Sequence, residues 1–206
     1  DAVFFTDNKV IRKSCLIGST NCIVNKPLFS TSSIMEALVG VAPGTESQGT
    51  ASNDEILGTR LVLGLSDPTA TLDLVSDYDN NQLLICDTKS NVVRQVDMQT
   101  GTVKSIAGKG INSITLSNPT SLVFNARDQI LFICDDNGLT RYNLLTGDRL
   151  VIYPHKCSYL RSGLTNLVAY FDSPENCFRT ISNVYDTRLG TSISEGVHVE
   201  NQFPIG

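Results

Sequence analysis

Three aspartates close three apolar runs in this chain: Val3-Phe4-Phe5-Thr6-Asp7, Leu84-Ile85-Cys86-Asp87 and Phe132-Ile133-Cys134-Asp135. Carboxylates gathered at one site could hold a divalent cation. A carboxylate that returns at one position of a repeated unit has a second use, as a short acceptor that fixes the following turn through backbone N–H groups. Recurrence favours this structural role for Asp7, Asp87 and Asp135. Asp77, Asp79 and Asn80 gather in a turn-rich stretch, where solvated turn residues are expected ahead of a calcium site. His155 and His198 are the two histidines, too few for a three-histidine zinc centre. No Gly-x-Ser-x-Gly elbow occurs, and no spacing pairs a cysteine with a histidine. No catalytic residue, metal ligand or cofactor site is nominated.

The six cysteines carry the remaining chemistry. Cys15 and Cys22 flank one irregular segment, Cys157 and Cys177 another, while Cys86 and Cys134 lie inside apolar runs. There is no CxxC, so the usual structural zinc spacing is missing. The preferred reading is two local disulfides, Cys15–Cys22 and Cys157–Cys177, in an extracellular or secretory-lumen protein. Its alternative is six reduced cysteines in the cytosol. Cys86 and Cys134 are expected to be free, buried and inert, since burial raises a thiol pKa. As equivalent residues of neighbouring sheets about 10 Å apart they lie beyond disulfide reach. No usable glycosylation sequon helps, because Asn118-Pro119-Thr120 is blocked by its proline.

The elements that position these residues can be read from the rest of the chain. Of 206 residues 41% are apolar and 18% charged, with a formal net charge of −5, which suits one folded domain. No run of Lys or Arg exceeds two, so a phosphate backbone is a poor partner. Arg12, Lys13, Arg94 and Arg141 are expected on solvated strand faces. No apolar run approaches 18 residues, so no membrane-spanning helix is expected. Residues 1–7 match no signal or transit peptide and open within a strand-like run, as a processed chain would.

Internal repetition dominates the pattern. Asn81-Gln82-Leu83-Leu84-Ile85-Cys86-Asp87 returns, displaced by 48 residues, as Asp128-Gln129-Ile130-Leu131-Phe132-Ile133-Cys134-Asp135. Val96-Asp97-Met98-Gln99-Thr100-Gly101 returns as Tyr142-Asn143-Leu144-Leu145-Thr146-Gly147, and Asp67-Pro68-Thr69 as Asn118-Pro119-Thr120. Each unit reads as four strands. In the clearest they cover Ser121 to Asn125, Ile130 to Cys134, Leu139 to Leu144 and Arg149 to Tyr153, joined by Asn137-Gly138 and Thr146-Gly147-Asp148 turns. The second strand is apolar on both faces, as an inner strand between stacked sheets must be.

The run Leu84-Ile85-Cys86-Asp87, the c strand Val92-Val93-Arg94-Gln95-Val96-Asp97, Thr100-Gly101, Ile106-Ala107-Gly108 and Asn118-Pro119-Thr120-Ser121-Leu122 together resemble an NHL repeat. That family's pattern has Ala-Asp where this chain has Cys-Asp, and glycine where it has Ser121, so a divergent member is implied. The resemblance implies an all-β fold, a β-propeller of four-stranded antiparallel blades. It places blade 1 at about 1–42 with an insertion at 15–33, an interblade loop at 43–60, blade 2 at about 67–108, blade 3 at about 118–154 and a degenerate blade 4 at about 164–199. One domain, 1–206, is expected. At about 45 residues a blade, four blades are present where such rings usually have six.

The first blade lacks an inner strand. Residues 197–203, absent sequence or a partner chain would have to supply it. Absent or partner sequence is preferred, since Val197-His198-Val199-Glu200-Asn201 lacks the Asn-Pro-Thr approach. The functional expectation is a protein-interaction or assembly module, extracellular, whose partner is another protein or the remaining blades, within an oligomer or larger assembly. A six-bladed hydrolase or lactonase with a channel calcium ion is the alternative.

Overall fold

The structure, a computed structural model, describes residues 2–7, 10–15, 35–39, 56–57, 73–77, 79–109, 111, 114–162, 167–172, 177–182 and 199–204. These residues contain strands and turns and no helix. β1 (Ala2–Asp7), β2 (Val10–Cys15) and β3 (Met35–Val39) form a three-stranded sheet. β4 (Ile56–Leu57), β5 (Leu74–Asp77), β6 (Gln82–Asp87), β7 (Val92–Asp97) and β8 (Thr102–Gly108) form the second, in the order β4-β8-β7-β6-β5. β9 (Ser121–Asn125), β10 (Ile130–Asp135), β11 (Gly138–Asn143) and β12 (Arg149–Tyr153) form the third. β13 (Cys157–Ser162), β14 (Leu167–Asp172), β15 (Cys177–Ser182) and β16 (Val199–Pro204) form the fourth. Every pairing is antiparallel and, β4 apart, joins consecutive strands.

The repeat seen in sequence is a repeat of backbone geometry. Cys86 lies opposite Val93 and Cys134 opposite Leu139, so β6 and β10 occupy the same register. Asn81 and Gln129 take φ of 53° and 52° at the same point of the turn before each. Asp97 Oδ1 accepts from the Gln99 and Thr100 N–H groups, and Asn143 Oδ1 from those of Leu145 and Thr146. Gly108 and Gly138 are demanded by close approach, because a Cβ there would overlap the carbonyl oxygens of Asn91 and Tyr153.

Side-chain alternation along the second strands builds a core between each pair of sheets. Leu83 and Ile85 pack with Ile11 of the first sheet. Leu84 and Cys86, on the other face of β6, pack with Leu122, Leu131 and Ile133 of the third. Ile130, Phe132 and Cys134 pack with Cys157 and Leu160 of the fourth. Each fully buried Leu, Ile or Phe contributes about 1.5–3 kcal/mol, so these stacked interfaces dominate the stability of the array.

Two expectations need correction. Residues 43–60 are not wholly a loop: Ile56 and Leu57 pair with Val103 and Thr102 on the outer edge of the second sheet. The fourth sheet opens at Cys157 rather than 164, and Leu167-Val168-Ala169-Tyr170-Phe171-Asp172 is its second strand, not its first. The strand ends in Asp like β1, β6 and β10, but carries Phe171 where β6 and β10 carry cysteine. β13 disguises itself with a polar sequence and a register shift between Ser158 and Arg161. Residues 199–204, the source not preferred for an inner strand of the first sheet, pair with β15 and not with residues 3–6. Among the described residues β2 is the one strand paired with β1. Residues 183–198 of the expected fourth blade and most of the insertion at 15–33 lie outside the described residues.

Candidate functional site

Register places the β6–β7 and β10–β11 turns at one end of the sheets, together with the connectors that lead out of β8 and β12. These segments are stitched to one another. Asn118 N donates to Asn91 Oδ1 at 2.7 Å, and Thr88 Oγ1 donates to the Pro119 carbonyl at 2.7 Å. Asn118 Nδ2 donates to Asp136 Oδ2 at 2.6 Å, and Lys156 Nζ pairs with Asp136 Oδ1 at 2.7 Å. A continuous face results, in which turns of one sheet are held by the connector to the next.

β13 runs across this same end. Its successive residues meet the ends of three earlier strands: Cys157 bonds to Cys134 of β10, Leu160 meets Ser121 of β9, and Arg161 meets Asp73 just before β5. Ser121 Oγ donates to Asp73 Oδ2 at 2.5 Å and accepts from Leu160 N at 2.9 Å. Asp73 Oδ2 also accepts from Leu122 N at 3.0 Å, with Arg161 Nη1 at 3.5 Å. Arg161 Nη1 donates to the Leu160 carbonyl at 2.7 Å. Tyr159 lies in the bulge with φ of 53° and is 62% exposed. A bulky residue in the left-handed region is rare, and a bulge is a device for re-aiming a side chain. Here the bulged strand leaves both Tyr159 and Arg161 exposed to solvent.

The aspartates at the ends of the second strands do different work. Asp135 Oδ1 accepts from Asn137 N and Gly138 N at 2.8 and 2.9 Å, and its Oδ2 accepts from Ser117 N at 2.9 Å. It fixes its own turn and the incoming connector. Burial pushes its carboxyl above the ordinary value, against the lowering effect of those donors. Asp87 instead takes both Arg94 Nε and Nη2 on Oδ2, at 2.9 and 2.8 Å, while Arg94 Nη1 donates to Ser105 Oγ at 3.0 Å. Arg94 is 1% exposed, so its expected place on a solvated strand face is wrong; Lys13 is buried too, and Arg12 and Arg141 are half-buried. Asp7 closes β1 opposite Val10. Among the described residues no group of three or more His, Cys, Asp or Glu side chains converges as a metal site would.

The cysteine pairing also needs correction. Cys134 is not free: it is bonded to Cys157, their Cα atoms 5.3 Å apart. Two sheets stacked face to face are too far apart for a disulfide, but β13 crosses the end of β10, and the usual Cα span of about 4.4–6.8 Å is met there. Cys157 is therefore not available to Cys177. Cys86, in the matching position one sheet earlier, faces Leu122, Leu131 and Ile133 and stays a free, buried thiol. Burial pushes its pKa up, with Asp73, Asp87 and Asp135 adding to the effect. Cys15 and Cys177 are described by backbone alone, and Cys22 lies outside the described residues.

The opposite end of the sheets is acidic. Among the described residues it carries Asp77, Asp79, Asp97, Asp128 and Asp148 with Lys104, Arg127 and Arg149. Asp97 is held below the ordinary value by the Thr100 and Gln99 N–H groups. Nearby, Asn80, Gln82, Gln95, Asp97, Thr102 and Lys104 line a polar depression open to solvent.

Sequence reading missed Asp73, Tyr159 and Arg161. One signal was present: Ser121 stands where the NHL pattern has glycine, and its hydroxyl is the bridge between Asp73 and Leu160.

No protein-family model matches the sequence, and no curated protein does either. Among solved structures, a chain in a crystal structure of a nidogen/laminin complex is similar with a TM-score of 0.60 and 15% identity, over 99% of this chain and 59% of that one. A chain in a crystal structure of a mitotic checkpoint complex is similar with a TM-score of 0.47 and 12% identity, over 89% of this chain and 50% of that one. This chain thus spans less than two thirds of either. At 15% identity the first likeness shows the fold alone: a β-propeller, whose blades are the antiparallel sheets described above.

Proposed function

We propose that this chain is a protein-interaction or assembly module, a divergent NHL-type propeller that docks its partner on the face built from the turns after β6 and β10, the interblade connectors and the start of β13. The observation that carries the reading is the construction of that face: it is stitched across three blades, closed by the Cys134–Cys157 bond, and presents Tyr159 and Arg161. Aromatic and Arg side chains on a preorganised surface are what protein interfaces use as anchors. Asp87 and Asp135 are engaged by Arg94 and by turn N–H groups, which favours a structural role for these two over calcium ligation.

An extracellular or secretory-lumen location fits a disulfide between two blades. A single domain over 1–206 belongs to this reading, as does a larger assembly in which further blades or a partner chain pair with β1.

The test is site-specific photocrosslinking. A photoreactive amino acid at Lys89, on the proposed face, should give a discrete protein adduct, and one at Asp79, on the opposite face, should not. Adducts from Asp79 alone, or none from Lys89, would refute the reading.

A further inference from the structure

We infer that the Cys134–Cys157 disulfide is a redox latch. Closed, it docks β13 on the third sheet; opened by a dithiol reductant, it releases β13 with Tyr159 and Arg161 while the second and third sheets stay folded. The inference rests on the proposed interaction face and adds its regulation. The bond lies in the middle of one seam. Along residues 156–161, Lys156 pairs with Asp136, Cys157 is bonded to Cys134, Leu160 N donates to Ser121 Oγ, and Arg161 stands beside Asp73. The seam between the second and third sheets is closed differently. Cys86 occupies the position of Cys134 there and remains a free thiol among Leu122, Leu131 and Ile133. Opening the Cys134–Cys157 bond therefore acts on one seam and leaves the other as it is.

Two features make β13 the element that moves. Among the described residues it is an edge strand, joined to its own sheet by β14 and broken by a register shift between Ser158 and Arg161. Cys134, by contrast, lies in β10 with β9 and β11 on either side. Segments with few packed neighbours open locally at lower cost than central strands. The second feature is Tyr159, held at φ of 53°. A bulky side chain persists in the left-handed region only when its surroundings enforce it. The enforcing contacts flank it, at Cys157 and at Leu160 N, so breaking the first lets the segment relax. Lys156 and Tyr159, on either side of Cys157 and Ser158, are 55% and 62% exposed, which makes Cys157 Sγ the sulfur a reductant reaches when the segment opens. One thiolate of the dithiol attacks Cys157 Sγ, the S–S bond breaks, and Cys134 leaves as a thiolate. The second thiol displaces Cys157 from the mixed disulfide, so the reductant is oxidised to its own disulfide. The two protons of the dithiol end on Cys134 and Cys157.

The experiment holds the 206-residue chain in dithiothreitol buffers of increasing reduced-to-oxidised ratio, without denaturant. Thiols are counted by alkylation and peptide mass spectrometry, and hydrogen–deuterium exchange is measured on the same samples. Reduction of Cys134–Cys157 should speed exchange at residues 157–161 about tenfold or more, leave residues 83–86 and 131–133 protected, and leave Cys86 unalkylated. The Cys134→Ser/Cys157→Ser variant should exchange at the fast rate in every buffer, and Cys86→Ser should follow the parent. The yield of the Lys89 photocrosslink should fall as the bond opens. Reduction with no change at residues 157–161 would make the bond a static staple and overturn the latch. Resistance to reduction in every buffer would overturn it too, as would reduction that deprotects residues 83–86 at the same ratio, since unfolding is then global. If the double variant does not fold, the parent titration decides alone. A Lys89 yield indifferent to the bond would overturn the regulation. No Lys89 adduct from the oxidised chain would refute the interaction face itself, and the exchange data would still separate a latch from a staple.

Discussion

Arg94 shows how far a single side chain can stand from its sequence reading. It lies on β7 between Val93 and Gln95, and the fold closes over it and brings it against Asp87 and Ser105. Removing one member of a buried ion pair strands the other, at about 3–5 kcal/mol, whereas replacing both with apolar groups is often nearly neutral. Arg94→Met should therefore lower the unfolding free energy by about 3–5 kcal/mol in urea titrations, and Arg94→Met with Asp87→Leu should recover most of the loss. Thr120 gives the opposite expectation: its hydroxyl is buried without a hydrogen-bond partner. An unmet buried hydroxyl costs about 1–3 kcal/mol, so Thr120→Val should leave stability unchanged or raise it in the same assay.

Two carboxyls should separate on acid titration by NMR, Asp97 below 3.8 and Asp135 above it. The signs differ accordingly. Asp97, lowered by folding, stabilises the protein above its unfolded value, and that contribution is lost as pH falls through its folded value. Asp135, raised by folding, is relieved of a cost as pH falls through its folded value. Neither effect was visible in sequence, because both arise from donors and burial that only the closed turns create.

At the scale of the element, legibility followed local chemistry. The strands over 121–125 and 149–153 were readable because each is short, apolar on a definite face and bounded by Gly, Asn or Asp turns. β13 was not, because it is polar and bulged, and its two buried residues, Cys157 and Leu160, reveal themselves only when Cys134 and Ser121 are beside them. The disulfide error has the same origin: proximity in sequence favoured Cys177, whereas blade stacking puts Cys134 closer. Digestion without reduction should release a Cys134–Cys157 linked peptide pair, and Cys86 should resist thiol reagents until the protein is unfolded. Cys157→Ser should cost about 3 kcal/mol for a bridge that closes a loop of this size, read as a fall in the denaturant midpoint. Recovery of a Cys157–Cys177 pair would contradict the observed crossing of β13 over β10.

The whole molecule is a stack of similar sheets with dissimilar ends. Repetition makes the stack: each second strand offers one face to the preceding blade and one to the next, so burial is shared along the array. Departures from repetition make the ends differ, through Ser121 for glycine, Asp73 before β5 and the bulge at Tyr159. The repeat could be read from spacing, but the departures acquire meaning only where blades meet. The central claim is that the end bearing Tyr159 is the docking face. Hydrogen–deuterium exchange of the 206-residue chain, with and without the partner recovered by crosslinking, tests it most directly. New protection confined to residues 88–91, 114–120, 136–137 and 154–161 is the predicted result; protection at 97–102, 126–129 and 143–149 instead would contradict it.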